Sequence, residues 1–198
     1  MNLTVKNTPK SLVIAMTGAT GAAYGIEILK ILKTLSIETH LIISDAANIT
    51  INYETNYSID DIKSIATFSY KCHDIKSCLS SGSFKHDGMI IAPCSVKTMS
   101  SIAYGIADNL IIRAADVTLK ERRPLVLMLR ETPFNLSHIE AMKQITLMSG
   151  IIAPPLNSFY IKPKNIEDLV HYSAARILDL FGIHIECSDR WNGKQKKL

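Results

Sequence analysis

The chain has 198 residues, of which 47% are hydrophobic and 20% are charged, and its formal net charge is +4. This composition excludes an intrinsically disordered chain, because it supplies enough apolar side chains to offset the entropy lost on folding. It also argues against a nucleic-acid-binding surface, since aromatic residues make up only 7% and do not interleave with the basic ones. At about 150 residues per domain, the length predicts a single domain over residues 1–198.

Apolar runs alternate with helical patterns along the chain. The patterns predict five strands, at residues 11–16, 39–43, 88–92, 124–129 and 151–153. They predict helices at 21–35, 46–54, 60–66, 95–104, 109–120, 135 or 137 to 148, and 166–181. The segment 56–85 is the least regular, and the third strand is expected to end at Pro93.

Strands that alternate with helices form right-handed crossovers and a parallel sheet. We therefore predict an α/β fold, in which one doubly wound, Rossmann-like parallel sheet carries helices on both faces. In this architecture, ligands bind beyond the carboxyl ends of the strands. The candidate site residues are consequently those that follow each strand.

Small residues follow the first strand, from Thr17 to Gly25. They would let the backbone approach a ligand, and the next helix N-terminus attracts phosphate. The segment matches neither GxGxxG nor the P-loop pattern, and the acidic residue expected about 20 positions later in a dinucleotide site is missing. A mononucleotide therefore fits better than a dinucleotide, although a plain tight turn is an open alternative.

Hydroxyl side chains follow the third strand, where Ser95 and Thr98 bracket a helix start. They could form a second anion-binding cradle, or they could serve only to cap the helix. The fourth strand is followed by Arg130 and Glu131, an adjacent pair of opposite charges at a ligand-binding position. A surface ion pair is the alternative there.

Basic residues also occur on two predicted helices. Arg113, Asp116 and Lys120 are spaced by three and four, so they share one helix face. The two cations could hold a phosphate, or the three could form an exposed ion-pair stripe. Arg176 lies at the border of the apolar face of the last helix, where it needs a partner or an anion. A long side chain that reaches to solvent explains Arg176 equally well.

The four cysteines, Cys72, Cys78, Cys94 and Cys187, contain no CxxC pair. We interpret them as free thiols of a reducing cytosol, with a metal cluster of Cys72, His73 and Cys78 as the alternative. Residues 1–10 show no secretory signal, and no apolar run reaches 18 residues. A cytoplasmic protein without a membrane span is therefore expected.

Several segments together resemble the UbiX-type flavin prenyltransferases over nearly the whole chain. The matching segments are 17–22, 81–83, 87–89, 92–98, 107–110, 113–125, 130–133, Phe159-Tyr160 and Arg190-Trp191. The block from Arg113 to Leu125 is long and highly specific. The resemblance implies a doubly wound flavoprotein fold.

The resemblance also implies an activity. Members bind FMN in its reduced form, as a substrate, and take a dimethylallyl group from dimethylallyl monophosphate. The central-ring nitrogen of the flavin attacks the allylic carbon as phosphate leaves, and a second bond closes a fourth ring. The product, prenylated FMN, is the cofactor of UbiD-type decarboxylases. No metal is required, so basic side chains must stabilise the departing phosphate.

Family roles carry over to particular residues of this chain. FMN binding is implied for Gly18, Ala19, Thr20, Ser44, Ser95, Val96, Lys97, Thr98 and Arg130. Binding of dimethylallyl phosphate is implied for Arg113, Lys120, Tyr160 and Arg176. Catalytic roles are implied for Thr20, Glu54, Lys120 and Glu131, with Thr20 in the place of the family's usual serine.

The resemblance further implies a homododecamer with sites shared between subunits, and a UbiD-type decarboxylase as recipient of the product. The pathway served, ubiquinone synthesis or decarboxylation of phenolic acids, is left open. Two other functions also remain open. One is an FMN-dependent decarboxylase of the peptidyl-cysteine type, and the other is a non-catalytic carrier that hands flavin to a decarboxylase.

Overall fold

In the computed structural model, which describes residues 9–185, the first strand lies inside a parallel sheet of order β3-β2-β1-β4-β5-β6. The strands are β1 Ser11–Met16, β2 Glu38–Ile43, β3 Phe68–Lys71, β4 Met89–Cys94, β5 Leu125–Leu129 and β6 Ile151–Ile152. The helices are α1 Ala22–Thr34, α2 Asp45–Glu54, α3 Ile59–Ile65, α4 Val96–Ala103, α5 Leu110–Lys120, α6 Leu136–Leu147 and α7 Ile166–Asp179. Short 3₁₀ turns cover Cys78–Ser80 and Phe159–Ile161.

Helices cover both faces of the sheet, as predicted. Leu12, Ile14 and Met16 of β1 point into a core shared with α1 and α7, whereas Val13 and Ala15 point into a core shared with α4, α5 and α6. All five side chains are fully buried. In a strand buried on both faces, the side chains on either side lie in a core, where polar groups would lose contact with water. The sequence of such a strand is therefore a continuous apolar run.

The predicted number of strands was wrong, because β3 was missed. This strand forms the edge of the sheet, and Phe68 and Tyr70 pack their rings against buried His40 of β2, at centroid distances of 5.1 and 5.8 Å. The Tyr70 hydroxyl and His40 Nδ1 are 2.9 Å apart. The predicted end of the third strand was also early by two residues, since β4 continues through Pro93 to Cys94.

The strand order reverses between β1 and β4, so a crevice opens beyond their carboxyl ends. Thr17 and Ser95 follow these two strands. The hydroxyl of Thr17 donates to the carbonyl of Pro93 at 2.9 Å and accepts from the backbone N–H of Ser95 at 2.8 Å. These bonds fix the two loops to each other at the mouth of the crevice. Within residues 9–185, no helix is both long enough and apolar enough to cross a membrane.

Candidate functional site

A cavity of about 420 Å³ lies at this crevice, between the loops that follow β1, β2 and β4. The predicted FMN-binding residues on its wall are Gly18, Ser44, Ser95, Lys97 and Thr98. These residues come from three separate segments, and the parallel sheet brings them together because the strands end at one edge. A cavity therefore lies beyond the strand ends, where the sequence predicts a ligand site.

Three helix N-termini meet at this cavity. Ser44 caps α2 by accepting from the N–H of Ala47 at 3.1 Å, and Ser95 caps α4 by accepting from Thr98 at 3.3 Å. Asn109 caps α5, accepting from the N–H groups of Ile111 and Ile112. Helix N-termini carry partial positive charge, so their convergence favours an anion such as a phosphate monoester. Ser95 therefore caps α4, which was one of the two predicted alternatives, and Ser95 and Thr98 also line the cavity, where the anion-binding alternative would place them.

The backbone approaches closely where the β1 loop passes the start of α2. A Cβ on Gly18 would lie 2.4 Å from the Cβ of Ala46, so no larger residue fits without movement. Lys97 adds a cation at the rim: its side chain is 79% exposed, and its Nζ is 4.0 Å from Asp108. A cradle of helix N-termini, hydroxyls and one lysine fits the phosphate and ribityl groups of FMN.

Among the cavity-wall residues that the sequence did not predict to bind FMN are Asn109, Asp45, His73 and Cys72. Asn109 was predicted only as the first residue of the helix 109–120 and as part of a family segment, although an asparagine directly before an apolar helix is a capping signal. Asp45 and His73 form a pair at the rim, with His73 Nε2 2.9 Å from the Asp45 carboxylate. Cys72 also lines the wall, but the described residues contain no group of three or more metal-ligating side chains placed to hold an ion.

Four other predicted FMN residues are absent from this wall as the described residues define it. They are Ala19, Thr20, Val96 and Arg130. Val96 is half-buried against the core on the α4 side of the sheet. Ala19 and Thr20 continue the β1 loop, and the backbone N–H of Arg130 donates to Cys94 at the end of β4.

Thr20 and Arg130 instead lie close to Glu54. The Glu54 carboxylate accepts hydrogen bonds from the N–H groups of Gly21 and Ala22, at 2.8 and 3.0 Å. Burial raises its pKa, but hydrogen bonds from Thr20, Ala22 and Gly21 and the charge of Arg130 outweigh burial, so the pKa lies below its ordinary value of 4.5. Glu54 is therefore an anion at neutral pH.

Two predicted donor-binding residues, Arg113 and Lys120, lie on α5 beside the loop 80–84. Arg113 donates to the carbonyl of Ser80 at 3.2 Å and to Asp116 at 2.6 Å. Lys120 pairs with Glu121 at 2.5 Å, and a Cβ on Gly82 would come within 2.7 Å of the Lys120 Nζ. The two cations thus share one helix face, as the spacing predicts, and both have carboxylate partners.

The other two, Tyr160 and Arg176, line a second cavity of about 310 Å³ under the loop that follows β6. The Tyr160 hydroxyl is hydrogen-bonded to that of Tyr172, and Arg176 donates to Asp179 at 2.6 Å. Since α7 packs on one face of the sheet and α5 on the other, the four residues predicted to bind the donor do not meet within one chain.

Glu131 is placed by its contact with the next residue of the chain. It is exposed, and its carboxylate accepts from the N–H of Thr132 at 2.9 Å. Among residues 9–185, it is on the wall of neither cavity. Arg190 and Trp191, which belong to the resemblance, lie outside the described residues, as does Cys187.

Comparisons with known proteins show which proteins this chain is similar to. The family model described as Flavoprotein matches residues 2–178. A probable UbiX-like flavin prenyltransferase of Bacillus subtilis (strain 168) is 50% identical over 186 residues, which cover 94% of this chain and 91% of the relative. A crystal structure of AnUbiX (PadA1) in complex with FMN and dimethylallyl pyrophosphate has a TM-score of 0.92 and 47% identity, covering 94% of this chain and 99% of that one.

A second similar structure is that of a dodecameric FMN-dependent UbiX-like decarboxylase from Escherichia coli O157:H7. It has a TM-score of 0.90 and 45% identity, and the match covers 92% of this chain and all of that one. The peptidyl-cysteine decarboxylase EpiD is only 19% identical, with a TM-score of 0.55, and shares the fold alone.

Proposed function

The chain belongs to the flavoprotein family and, within it, to the UbiX-type flavin prenyltransferases, and from this we propose that it transfers a dimethylallyl group from dimethylallyl monophosphate to reduced FMN. The product would be prenylated FMN, supplied to a UbiD-type decarboxylase. The observation that carries the proposal is the cavity between β1 and β4, where three helix N-termini and several hydroxyls converge. The similar AnUbiX structure, which holds FMN and dimethylallyl pyrophosphate, supports it.

FMN would be held at this cavity by its phosphate. Ser44, Ser95 and Thr98 offer hydroxyls, and the N-termini of α2, α4 and α5 offer partial positive charge. Gly18 and Ala19 would let the ligand approach the backbone, Val96 would contribute through its main chain, and Arg130 would add a cation near Glu54. When bound, reduced FMN supplies the electron-rich ring atoms that form the new bonds.

The side chains of Arg113, Lys120, Tyr160 and Arg176 would bind the phosphate of the donor. When the allylic ester ionises, negative charge develops on the phosphate oxygens, and positioned cations lower the energy of that step. In this proposal these residues act in place of a divalent metal ion. Glu131 would exchange a proton with the phosphate. Glu54, ionised and hydrogen-bonded to Thr20, would accept a proton during ring closure.

The proposal requires more than one chain, because α5 and α7 lie on opposite faces of the sheet. We propose a homododecamer in which one subunit supplies Arg113 and Lys120 and another supplies Tyr160 and Arg176. The similar structure from Escherichia coli O157:H7 is dodecameric, which supports this assembly. Large apolar side chains are also exposed on α6 and near α7, and burial between subunits would remove them from water: Leu136, Leu147, Leu156, Phe159 and Ile166.

The proposal also includes the compartment and the domain organisation. Cys72, Cys78 and Cys94 are free thiols, which is typical of a reducing cytoplasm. Residues 1–198 would form one FMN-binding domain, since all described strands belong to a single sheet.

Mass spectrometry of the flavin tests the reaction. The protein is incubated anaerobically with FMN, dithionite, dimethylallyl monophosphate and a chelator, and a gain of one five-carbon unit on the flavin is the expected result. An unchanged flavin mass, when a relative that prenylates FMN serves as positive control under the same conditions, would overturn the proposal.

Because one similar structure is described as a decarboxylase, CO₂ release from phenylacrylic acids is measured in parallel. Release of CO₂ without a flavin mass change would indicate a decarboxylase, and FMN binding alone would indicate a carrier.

A further inference from the structure

Two polar side chains of α7, Asp179 and Tyr172, contact the cavity residues Arg176 and Tyr160, and Tyr172 also lines the cavity itself. The side chain of Asp179 is only 9% exposed, and its carboxylate accepts from Arg176 Nη1 at 2.6 Å and contacts His184 Nδ1 at 3.0 Å. A carboxylate removed from water is retained only where hydrogen bonds and opposite charge compensate it. By contrast, the guanidinium-bearing side chain of Arg176 is 55% exposed.

Tyr172 is likewise a buried residue that is bonded to a more exposed one, Tyr160. Tyr172 is 7% exposed and Tyr160 is 48% exposed, and their hydroxyls are hydrogen-bonded. The rings are perpendicular, with centroids 6.0 Å apart. Burial and the bond to Tyr160 raise the pKa of Tyr172, so its hydroxyl stays protonated and is able to donate. When Tyr172 donates to the Tyr160 oxygen, the Tyr160 proton is directed to another acceptor.

We propose that Asp179 and Tyr172 are positioning residues, each holding one of the two exposed anion-binding groups, Arg176 and Tyr160, toward the cavity where the donor phosphate binds. This inference rests on the proposed function, because it takes that cavity as part of the donor site. Asp179 is absent from the described lining of that cavity, whereas Tyr172 is part of it and is assigned its role through the bond to Tyr160. The effect of the two residues is to restrain the exposed side chains of Arg176 and Tyr160.

The chemistry of the two pairs supports this role. A guanidinium has five N–H donors in a fixed plane, so one bond to Asp179 leaves the others free to face an anion. A long exposed arginine loses rotamer entropy when it binds a ligand, and a bond formed beforehand reduces that loss. The carboxylate of Asp179 does offset part of the positive charge, so the proposal is about geometry and not about net charge. Replacing Asp179 by a residue that restrains Arg176 less should therefore weaken phosphate binding, even though the replacement removes a negative charge.

Calorimetric titration of the FMN-loaded protein with dimethylallyl monophosphate, and separately with inorganic phosphate, provides the test. We expect Asp179→Asn and Tyr172→Phe each to weaken donor binding about tenfold, with KM raised more than kcat is lowered and FMN affinity unchanged. The matched control is Asp60→Asn, which breaks an exposed pair with Lys63 at the same helical spacing. It should leave both affinities as they are.

A coupling experiment separates positioning from a general loss of structure. In an Arg176→Ala background, Asp179→Asn should change donor binding by less than about twofold, because no guanidinium remains to be held. An equal effect in both backgrounds, or wild-type donor affinity in both single variants, would overturn the inference. If Asp179→Asn fails to fold, Tyr172→Phe, which removes a single atom, decides alone. Absence of prenylated flavin from the wild-type protein would instead contradict the proposed function, while phosphate titration still reports on positioning.

Discussion

Glu54 caps helix α1 from a distant part of the sequence. Its Oε2 accepts from the N–H of Gly21, the residue before α1, at 2.8 Å, although the two residues are 33 positions apart. Gly21 precedes α1 in a left-handed conformation, with φ of 103°, and has no side chain with which to cap. Glu54, at the end of α2, therefore provides the capping acceptor that Gly21 cannot provide at the start of α1. This bond also places a carboxylate beside Thr20, in the loop expected to contact FMN.

We expect Glu54→Gln to lower the free energy of unfolding by about 1 kcal/mol at pH 7, because an amide is a weaker acceptor than a carboxylate at a helix N-terminus. The folded-state pKa of Glu54 lies below its ordinary value of 4.5. The carboxylate's contribution is therefore complete above the unfolded-state pKa and is lost as pH falls through the folded-state pKa. Thermal unfolding of FMN-free protein at several pH values measures it. The difference between the two proteins should begin to shrink below about pH 4.5 and disappear below the folded-state pKa, and a constant difference down to strongly acidic pH would contradict this account.

Gly18→Ala should weaken FMN binding about tenfold, because the new Cβ would meet the Ala46 Cβ and force the β1 loop away from α2. Quenching of flavin fluorescence on titration measures the affinity. The control is Gly105→Ala, where φ is +71° and no atom lies within 4 Å of the added Cβ. That variant should lose stability through backbone strain while keeping its FMN affinity. Equal FMN affinities in the two variants would argue against a cradle at Gly18.

Ser95→Ala and Ser58→Ala form a matched pair, since both residues cap a helix through a side-chain oxygen. Each change should lower the free energy of unfolding by about 1 kcal/mol. Only Ser95 lines the cavity between β1 and β4, so only its loss should also weaken FMN binding. Urea denaturation and flavin titration of the two variants give the comparison. A decrease of FMN affinity in Ser58→Ala would mean that the effect comes from stability and not from contact.

Lys120→Ala and Arg176→Ala should each lower prenyl transfer about 100-fold or more, because each removes a cation expected to stabilise the departing phosphate. Both should still bind FMN, since neither residue lines the FMN cavity as the described residues define it. Flavin mass analysis and flavin titration measure the two properties. Lys143→Ala on α6, which breaks a surface pair with Glu140, is the control. Loss of FMN with retained turnover in Lys120→Ala or Arg176→Ala would contradict the assigned roles.

The parts of the fold that could be predicted from sequence are those encoded locally. Continuous apolar runs located β1, β2, β4 and β5 because these strands are buried on both faces. The edge strand β3 has only four residues and is exposed over most of its length, so it lacks such a run. Its packing depends on His40, a buried polar residue that the pattern of β2 does not distinguish.

The residues of the candidate site also fall into those that local sequence features predict and those that they do not. Ser44, Ser95 and Thr98 could be predicted because strand ends and capping residues are local features that a parallel sheet gathers at one edge. The contacts of Arg176 with Asp179 and of Tyr160 with Tyr172 could not be predicted, since Asp179 and Tyr172 differ from other helical residues only in their burial. The proposed meeting of Arg113 with Arg176 would be a property of the assembly, because their helices lie on opposite faces of the sheet.

Mixing of inactive variants tests most directly the central claim, that cations from two subunits together bind the donor phosphate. Arg113→Ala and Arg176→Ala proteins are co-expressed with different tags, isolated as mixed assemblies, and assayed for prenylated flavin. If one chain supplies Arg113 and another supplies Arg176, random mixing should restore about a quarter of the wild-type sites. A mixture of Tyr160→Phe with Arg176→Ala, both in the α7 cavity, should gain no activity above that of its separate members. Mixed Arg113→Ala and Arg176→Ala assemblies that remain as inactive as either parent would contradict the account.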